Sequence, residues 1–393
     1  MKRTIEDIDV KGKRVLLRVD FNVPLDENGN IADDTRIISA LPTIKYLLSK
    51  GARLIICSHL GRPDGQFNMK YSLVPVAKRL VDLLINKIYF GKDVVGPDAI
   101  EKAKNLNVGE ILLLENVRFM KGEERNDMEF AKQLASLADI YVNDAFGAAH
   151  RNHASIVGVA KLLPNAVGFL MGKEVNTILS TLEKPERPFV AILGGAKVSD
   201  KIYVVMNLLK KVDTICVGGG MAYTFLKALG HEVGQSMIEE EKIELARGII
   251  EEAKRKNVKI LLPIDNLCAS VFSPTAKSIK VKGQDIPANL MALDIGPKTV
   301  KLFSNELKKA KTVVWNGPLG VFEFDNFSKG TEKIAKQVAK VNGKTIVGGG
   351  DSIAAIHRLG KAKKISHIST GGGASLKLLE GEMLPGVEVI DNV

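Results

Sequence analysis

The first half of the chain carries basic side chains in short clusters whose flanks look alike. RVDFNVP (18–24) sets Arg18, Asp20 and Asn22 at alternating positions as an apolar run ends. DDTRI (33–37) brings Arg36 to a predicted helix start, and SHLGRP (58–63) brings His59 and Arg62 to the end of a second apolar run. ENVRF (115–119) holds Arg118, and AAHRNHAS (148–155) holds His150, Arg151 and His153. A single such arginine is ordinarily a solvated ion-pair partner. Several at strand ends or helix starts of one half are a different arrangement, because guanidinium forks match the oxygens of carboxylates and phosphates. The chemistry expected is the binding of a small ligand with several negative charges. His150 and His153 have no third metal ligand nearby in sequence, so a metal centre is not expected there.

The second half carries glycines instead: LGGAK (193–197), VGGGMA (217–222), VGGGDS (347–352) and STGGGAS (369–375). Each follows an apolar run and precedes a helical pattern. Bare backbone at a helix N-terminus lets phosphate oxygens reach free N–H groups at the positive end of the dipole. The structural alternative is that glycine merely permits a tight turn, and for Asp351 and Ser352 it is helix N-capping. Familiar nucleotide fingerprints are absent. NGKT (342–345) lacks the upstream glycine of a P-loop, since Val338 stands there, and no GxGxxG opens a βα unit.

These positions need a scaffold, and the hydrophobic pattern supplies one. RVLLRV, ARLIICS, EILLLENV and IYVNDAF alternate with amphipathic stretches such as TRIISALPTIKYLLSKG, LVPVAKRLVDLLI and MEFAKQLASLA. The plan recurs in PFVAILGG, TICVGGG, KILLPID, TVVWNG, KTIVGGG and HISTGGG, with a helix beginning near Ser199 and Gly230 as a helix C-terminal cap. Strands without polar alternation predict parallel sheets covered on both faces. Ligands in such sheets bind beyond the carboxyl ends of the strands. The expected fold is α/β: two doubly wound parallel-sheet (Rossmann-like) domains joined by a helix, with a cleft between them. The joining helix is expected at about 170–182, stopped by Pro185 and Pro188. Residues 1–169 with the tail 380–393 form one domain, 170–185 the linking helix and hinge, and 186–379 the other.

Composition narrows the partners. The 393 residues are 45% hydrophobic, enough for two cores, and the formal net charge of +11 favours anionic ligands. Lysine and arginine are spread along the chain and aromatics are 5%, so a nucleic-acid binder with interleaved aromatics is not favoured. The three cysteines, Cys57, Cys216 and Cys268, lack metal-ligand spacing and read as buried reduced thiols. MKRTIEDIDV has no apolar leader core, and no apolar run approaches the ~18 residues of a membrane span. A soluble, cytoplasmic protein is expected.

Taken in order, RVLLRVDFNVP, DDTRI, SHLGRP, ENVRF, AHRNHAS, ILGGAKVSDK, VGGGMA, WNGPLGVFE, VGGGDS and STGGGASL resemble the phosphoglycerate kinase family over essentially the whole chain. The resemblance implies reversible phosphoryl transfer from the acyl phosphate of 1,3-bisphosphoglycerate to ADP, giving 3-phosphoglycerate and ATP with Mg²⁺. It further implies a monomer with small-molecule partners, no nucleic acid and no membrane. On it, Asp20, Asn22, Arg36, His59, Arg62, Arg118 and Arg151 hold the glycerate and its phosphate, with Phe21, Leu60 and Gly61 in the same loops. Arg18 and His150 line the same basic patch. Gly195, Ala196, Lys197 and Lys201 meet the nucleotide phosphates, while Gly219, Gly220, Ala292, Asn316, Pro318, Val321 and Glu323 surround the nucleoside. The backbone of Gly348, Gly349 and Gly350 lies against the nucleotide and the transferring group, followed by Ser352, and Asp351 holds the metal. Arg36, Lys197 and Gly350 are the implied catalytic positions. No general base is required when the attacking ADP oxygen is already ionised, which suits a site without a His–Asp pair. One departure stands out: LMALDIGP (290–297) replaces the usual WMGLDIGP, so Leu290 and Ala292 stand where the family has Trp and Gly. A kinase for another carboxylate or acyl phosphate is the alternative. Two ligands starting on different domains also imply hinge closure at the ends of the linking helix and near Pro185 and Pro188.

Overall fold

Apolar runs with no polar alternation become strands buried on both faces. In the first half these are β1 (Arg14–Arg18), β2 (Arg53–Cys57), β3 (Ile88–Phe90), β4 (Ile111–Leu113), β5 (Ile140–Asn143) and β6 (Asn165–Val167). They form one parallel sheet in the order β3-β4-β2-β1-β5-β6. Consecutive residues Leu16 and Leu17 are both fully buried, so both faces are covered. The crossovers run through α1 (Thr35–Ser49), α2 (Val74–Leu83), α3 (Pro97–Asn105) and α4 (Met128–Ser136). The computed structural model describes residues 2–393. They divide into two compact units, Met1–Asn176 with Met383–Val393, and Thr177–Glu382. The C-terminal segment is tied into the first unit: Gly386 N–H donates to Ala149 O (2.9 Å) and Asn143 Nδ2 to Gly386 O (3.0 Å).

The expected helix near 170–182 forms as α5 (Phe169–Glu183), and the division between units falls within it. Its start is fixed by Asp144, whose Oδ1 accepts the Met171 N–H at 3.0 Å. Gly168 must be glycine, since a Cβ there would lie 2.3 Å from Asp144 Oδ1.

The second unit repeats the plan with β7 (Phe189–Leu193), β8 (Thr214–Val217) and β9 (Lys259–Leu261), then β13 (Thr312–Asn316), β14 (Lys344–Gly348) and β15 (His367–Ile368). These run parallel in the order β15-β14-β13-β7-β8-β9. Helices α6 (Ile202–Leu208), α7 (Met221–Ala228), α8 (Ile243–Arg255), α9 (Pro297–Leu307), α10 (Lys329–Val338), α11 (Gly350–Arg358) and α12 (Gly372–Glu380) connect them, and α13 (Pro385–Glu388) lies in the C-terminal segment. Trp315 is fully buried at the centre of this core and donates its Nε1–H to Gly317 O at 2.8 Å. Gly230 follows α7 with φ +91°, as its cap reading requires.

Three details differ from the sequence reading. The helix expected near Ser199 starts at Ile202, because the Ser199 N–H and hydroxyl are held by the Glu239 carboxylate (3.0 and 2.5 Å). The short strands β3 and β6 were not expected. Nor was a separate antiparallel sheet, β11-β10-β12, made of β10 (Asp265–Ala269), β11 (Ile279–Lys282) and β12 (Met291–Ile295). β10 opens on Asp265 and Asn266, both buried. Asp265 accepts the N–H groups of Lys298 and Thr299 at the start of α9, and Asn266 accepts the Tyr223 hydroxyl. Cys57, Cys216 and Cys268 are buried free thiols.

Asp144 sets a pH dependence. Burial, with Oδ2 left without a partner, pushes its pKa up to about 6. A carboxyl raised in the folded state destabilises it fully above that pKa, and the effect vanishes only once the unfolded state is protonated too, near pH 3. Asp144→Asn is therefore expected to shift unfolding free energy relative to the parent by about 3 kcal/mol more at pH 7 than at pH 3. Denaturant titrations across that range test this, and a pH-independent difference contradicts it.

Candidate active site

Both sheets reverse strand order once, at β1/β5 and at β7/β13, and the chemistry-bearing loops leave the carboxyl ends there. In the first unit, Arg18 closes β1 and is buried. Its Nε donates to Ser155 Oγ (2.8 Å) and its Nη1 to Val19 O. Its Nη2 lies 3.3 Å from His59 Nδ1. A guanidinium has no acceptor, so Nδ1 accepts and the His59 proton sits on Nε2. Burial lowers the His59 pKa well below its ordinary value, and Arg18, Arg118, Arg151 and Arg36 lower it further. His59 is thus a neutral donor. Asp20 Oδ1 lies 3.9 Å from His59 Nδ1, so a His–Asp neighbour pair does exist, contrary to the sequence reading. It is no acid–base dyad: Nδ1 is engaged by Arg18, and Asp20 accepts from Arg36 Nη1 at 2.7 Å and from Asn22 N–H at 3.2 Å.

Sequence reasoning missed Glu123. It is fully buried, accepts the Ser155 hydroxyl (2.6 Å) and N–H (2.9 Å), and lies 4.0 Å from Arg18 Nη2. It therefore orders Ser155, which orders Arg18, which fixes the His59 tautomer. Burial raises the Glu123 pKa, and Arg18 opposes this. His153 belongs to the same nest, its Nδ1 3.7 Å from Glu123 Oε1, and burial drives its pKa down to about 3.

Arg118 is only 3% exposed. Its Nη1 donates to Gly61 O (2.7 Å), but Nη2 has no acceptor, and Nε lies 3.1 Å from Glu124 Oε1 without hydrogen-bond geometry. Asn22 Oδ1 holds Gly61 N–H at 2.9 Å, and a Cβ on Gly61 would strike the Tyr71 ring at 2.3 Å. Arg62 and Arg151 carry no side-chain hydrogen bond or ion pair among the described residues. Phe21 and Leu60 turn their side chains into the core, with Phe21 N–H taken by Ser58 Oγ and Leu60 O by Asn116 Nδ2. They shape the loops and offer no side chain to a ligand.

In the second unit the glycines separate into two classes. A Cβ on Gly194 would lie 1.9 Å from Pro318 O, on Gly219 2.7 Å from Gly195 N, and on Gly220 2.7 Å from Ala196 O. These residues are bare because the loops after β7, β8 and β13 cross, joined by Gly194 N–H to Asn316 O (3.0 Å) and Gly195 N–H to Pro318 O (3.1 Å). Gly350 and Gly372, the first residues of α11 and α12, have nothing within 4 Å of a built Cβ. Their bare faces meet open space. Gly348 and Gly349 are intermediate, with Ser375 Oγ at 3.1 Å and Asn316 Nδ2 at 3.4 Å, and Gly349 has φ +87°. The capping reading of Ser352 fails: its Oγ accepts Gly317 N–H at 2.8 Å, so it ties the β13 loop to α11. Asp351 is exposed in the first turn of α11 and also does not cap, since the cap position is Gly349.

The crossed loops form one wall of a pocket of about 530 Å³ within this unit, with Gly195, Ala196, Gly219 and Gly220 on that side. Met237, Phe272, Met291, Leu293 and Val321 make an apolar side, and Glu323 and Asp351 are its only charged lining residues. Ala292 lines it too, with its N–H held by Ser236 Oγ (3.0 Å), whereas Leu290 is buried away from it and pins Gln235 N–H through its carbonyl (2.8 Å). Lys201 Nζ donates to Asn316 Oδ1, and burial lowers its pKa. Lys197 is exposed and makes no hydrogen bond or ion pair among the described residues. Pocket residues such as Tyr223, Gln235, Met237 and Phe272 were not foreseen. They come from α7 and from loops around the unexpected antiparallel sheet, with no glycine signature.

A doubly wound unit with under-paired arginines, together with a second whose glycine loops frame a nucleotide-sized pocket, defines an α/β protein built to handle phosphorylated small molecules. The profile of the family described as "Phosphoglycerate kinase" matches residues 5–382. The chain is 58% identical to the phosphoglycerate kinase of Koribacter versatilis, covering 100% of this chain and 99% of that one. It is 54% identical to that of Clostridium tetani, covering 100% and 98%. Among solved structures, phosphoglycerate kinase from Coxiella burnetii superposes with a TM-score of 0.89 at 41% identity, covering 99% and 98%. The Pyrococcus horikoshii enzyme superposes with a TM-score of 0.81 at 33% identity, covering 98% of each chain. The chain belongs to the phosphoglycerate kinase family.

The two glycine classes predict opposite mutant behaviour. Gly194→Ala is expected to destabilise by more than about 3 kcal/mol, because backbone must move. Gly350→Ala is expected to leave stability within about 0.5 kcal/mol while weakening ATP binding about tenfold or more. Thermal melts with calorimetric ATP titration separate these, and a destabilised Gly350→Ala with normal ATP affinity contradicts the division.

Proposed function

We propose that the protein catalyses reversible phosphoryl transfer from the acyl phosphate of 1,3-bisphosphoglycerate to ADP, giving 3-phosphoglycerate and ATP, a step of glycolysis and gluconeogenesis. The observation that carries the reading to particular atoms is the anion nest of the first unit. Arg118 offers an unsatisfied Nη2, and Arg18 holds His59 as a neutral Nε2–H donor. Asp20, Asn22, Arg36, His59, Arg62, Arg118 and Arg151 bind the glycerate and its phosphate. Asp20 orients Arg36, and Asn22 orients the Gly61 loop.

On the second unit, Lys197, Lys201 and the N–H groups at Gly195 and Ala196 take the nucleotide phosphates, and Glu323 and the apolar wall take the nucleoside. The N-terminus of α11 at Gly350, with Arg36 and Lys197, balances charge on the transferring group. Such transfer depends on in-line positioning and electrostatic stabilisation. The attacking ADP oxygen is already ionised, so no side chain needs to remove a proton. Asp351 fits a Mg²⁺ ligand: it is exposed in the pocket and free of hydrogen bonds and ion pairs among the described residues. With no cluster of three or more metal-ligating side chains among them, Mg²⁺ would be held by Asp351 and phosphate oxygens, its habitual coordination. When bound it supplies charge neutralisation at the nucleotide phosphates.

The two ligand sets belong to different units, and reaction requires the reacting atoms within about 3–3.5 Å with water kept from the acyl phosphate. The reading therefore includes hinge closure about α5, favoured most by the two ligands together. It also has the protein working as a cytoplasmic monomer.

ATP formation from 1,3-bisphosphoglycerate and ADP in a coupled assay tests the reaction, and ATP binding without that turnover contradicts it. Lys197→Ala is expected to lower kcat by roughly 10²–10³ with little change in either KM, the usual cost of losing one transition-state donor. A raised KM with kcat intact would show that Lys197 only binds ground-state nucleotide.

A further inference from the structure

A second pocket of the Thr177–Glu382 unit, about 390 Å³, opens between the β10–β11 hairpin and helices α9 and α10. Lys280 enters it from β11, and Lys329 and Lys333 from α10. All three are exposed, and none makes a hydrogen bond or ion pair among the described residues.

The placement of the α10 pair runs against local preference. Lys329 is the first residue of the helix and Lys333 lies one turn on. Both therefore meet the positive end of the helix dipole, and at i,i+4 they also repel each other. Local rules broken without a compensating contact are expected at functional sites. The neighbouring acids do not compensate, for Asp325 and Glu332 turn to Arg358 (2.7 and 3.6 Å). Asp294, behind the pocket, is fully buried and accepts Gly330 N–H (2.7 Å) and Ile295 N–H (2.9 Å). Burial raises its pKa well above the ordinary value, more than Lys333 lowers it. Three lysines and no acidic residue line the pocket. Ser278 adds a hydroxyl at the wall.

We propose that this pocket is a second anion site, separate from both ligand sets of the transfer reaction, and that it takes a small polyphosphate. Three ammonium groups on two elements match a ligand whose charges are spread over two or three phosphates, where a single carboxylate would engage only one or two. Lysine serves such a ligand as a point charge without demanding bidentate geometry.

Methyl-labelled protein offers a local readout, because Leu267, Ile295 and Val300 also line the pocket. Titration with inorganic tripolyphosphate at low ionic strength is expected to give saturable methyl shifts at these three residues. Raising salt should weaken the effect, as for other exposed charges. In a Lys329→Ala/Lys333→Ala variant the apparent affinity read at these methyls is expected to fall by about two- to thirtyfold, with turnover unchanged, as for two lost exposed charge contacts. Tripolyphosphate binding at the arginine nest or the nucleotide pocket would shift methyls elsewhere, so the readout does not depend on how those sites are assigned. Absence of shifts at the three methyls, or equal affinity in the variant, overturns the proposal.

Discussion

The first unit keeps a buried cation short of partners. A guanidinium taken out of water is costly unless its donors are met. Yet Arg118 is almost wholly enclosed with Nη2 unmet, Arg151 is close enough to lower its pKa, and neither Arg62 nor Arg151 has an ion pair among the described residues. The surroundings make this tolerable without cancelling it. Gly61 O takes one Arg118 donor, and Glu123 acts through Ser155 on Arg18. His59 stays neutral because the arginines around it and its own burial disfavour another charge. Arg18, His59 and Arg118 are thus held in place by protein contacts, which reduces the reorganisation those groups need on binding an anion.

The second unit solves a different problem with a residue type that serves two ends. Gly194, Gly219 and Gly220 allow three loops to cross at the β7/β13 reversal, where any Cβ would collide with backbone. Gly350 and Gly372 collide with nothing and leave helix N-termini bare toward open space. The first class lets the loops that build the pocket wall cross, and the second leaves two helix N-termini uncovered. Ser352 links the two through Gly317, which ties the position of α11 to the crossed loops.

Much of this was legible in the sequence. Parallel strands read clearly because β1, β2, β7, β8 and β13 are unbroken apolar runs, and the strand–glycine–helix order located the glycine loops after β7, β8, β14 and β15. The antiparallel sheet was hidden because β10 begins with buried Asp265 and Asn266, polar groups satisfied by distant partners. β11 is an exposed, lysine-bearing strand that periodicity alone does not separate from a loop. With that sheet went much of the apolar wall of the pocket. Glu123 was likewise invisible: in KGEER it reads as one surface carboxylate among several, and only the fold brings Ser155 to it. The glycines were legible as a group, but which were bare for the chain and which for a ligand depends on distances that spacing does not encode.

The central claim is that the arginine nest and the glycine-framed pocket bind different ligands on different units. Calorimetric titration of Arg118→Ala with 3-phosphoglycerate and, separately, with ADP tests it most directly. Loss of one charged hydrogen-bond partner predicts 3-phosphoglycerate binding weakened by roughly tenfold to a hundredfold, with ADP affinity unchanged. Equal losses for both ligands, or a loss confined to ADP, would contradict the account.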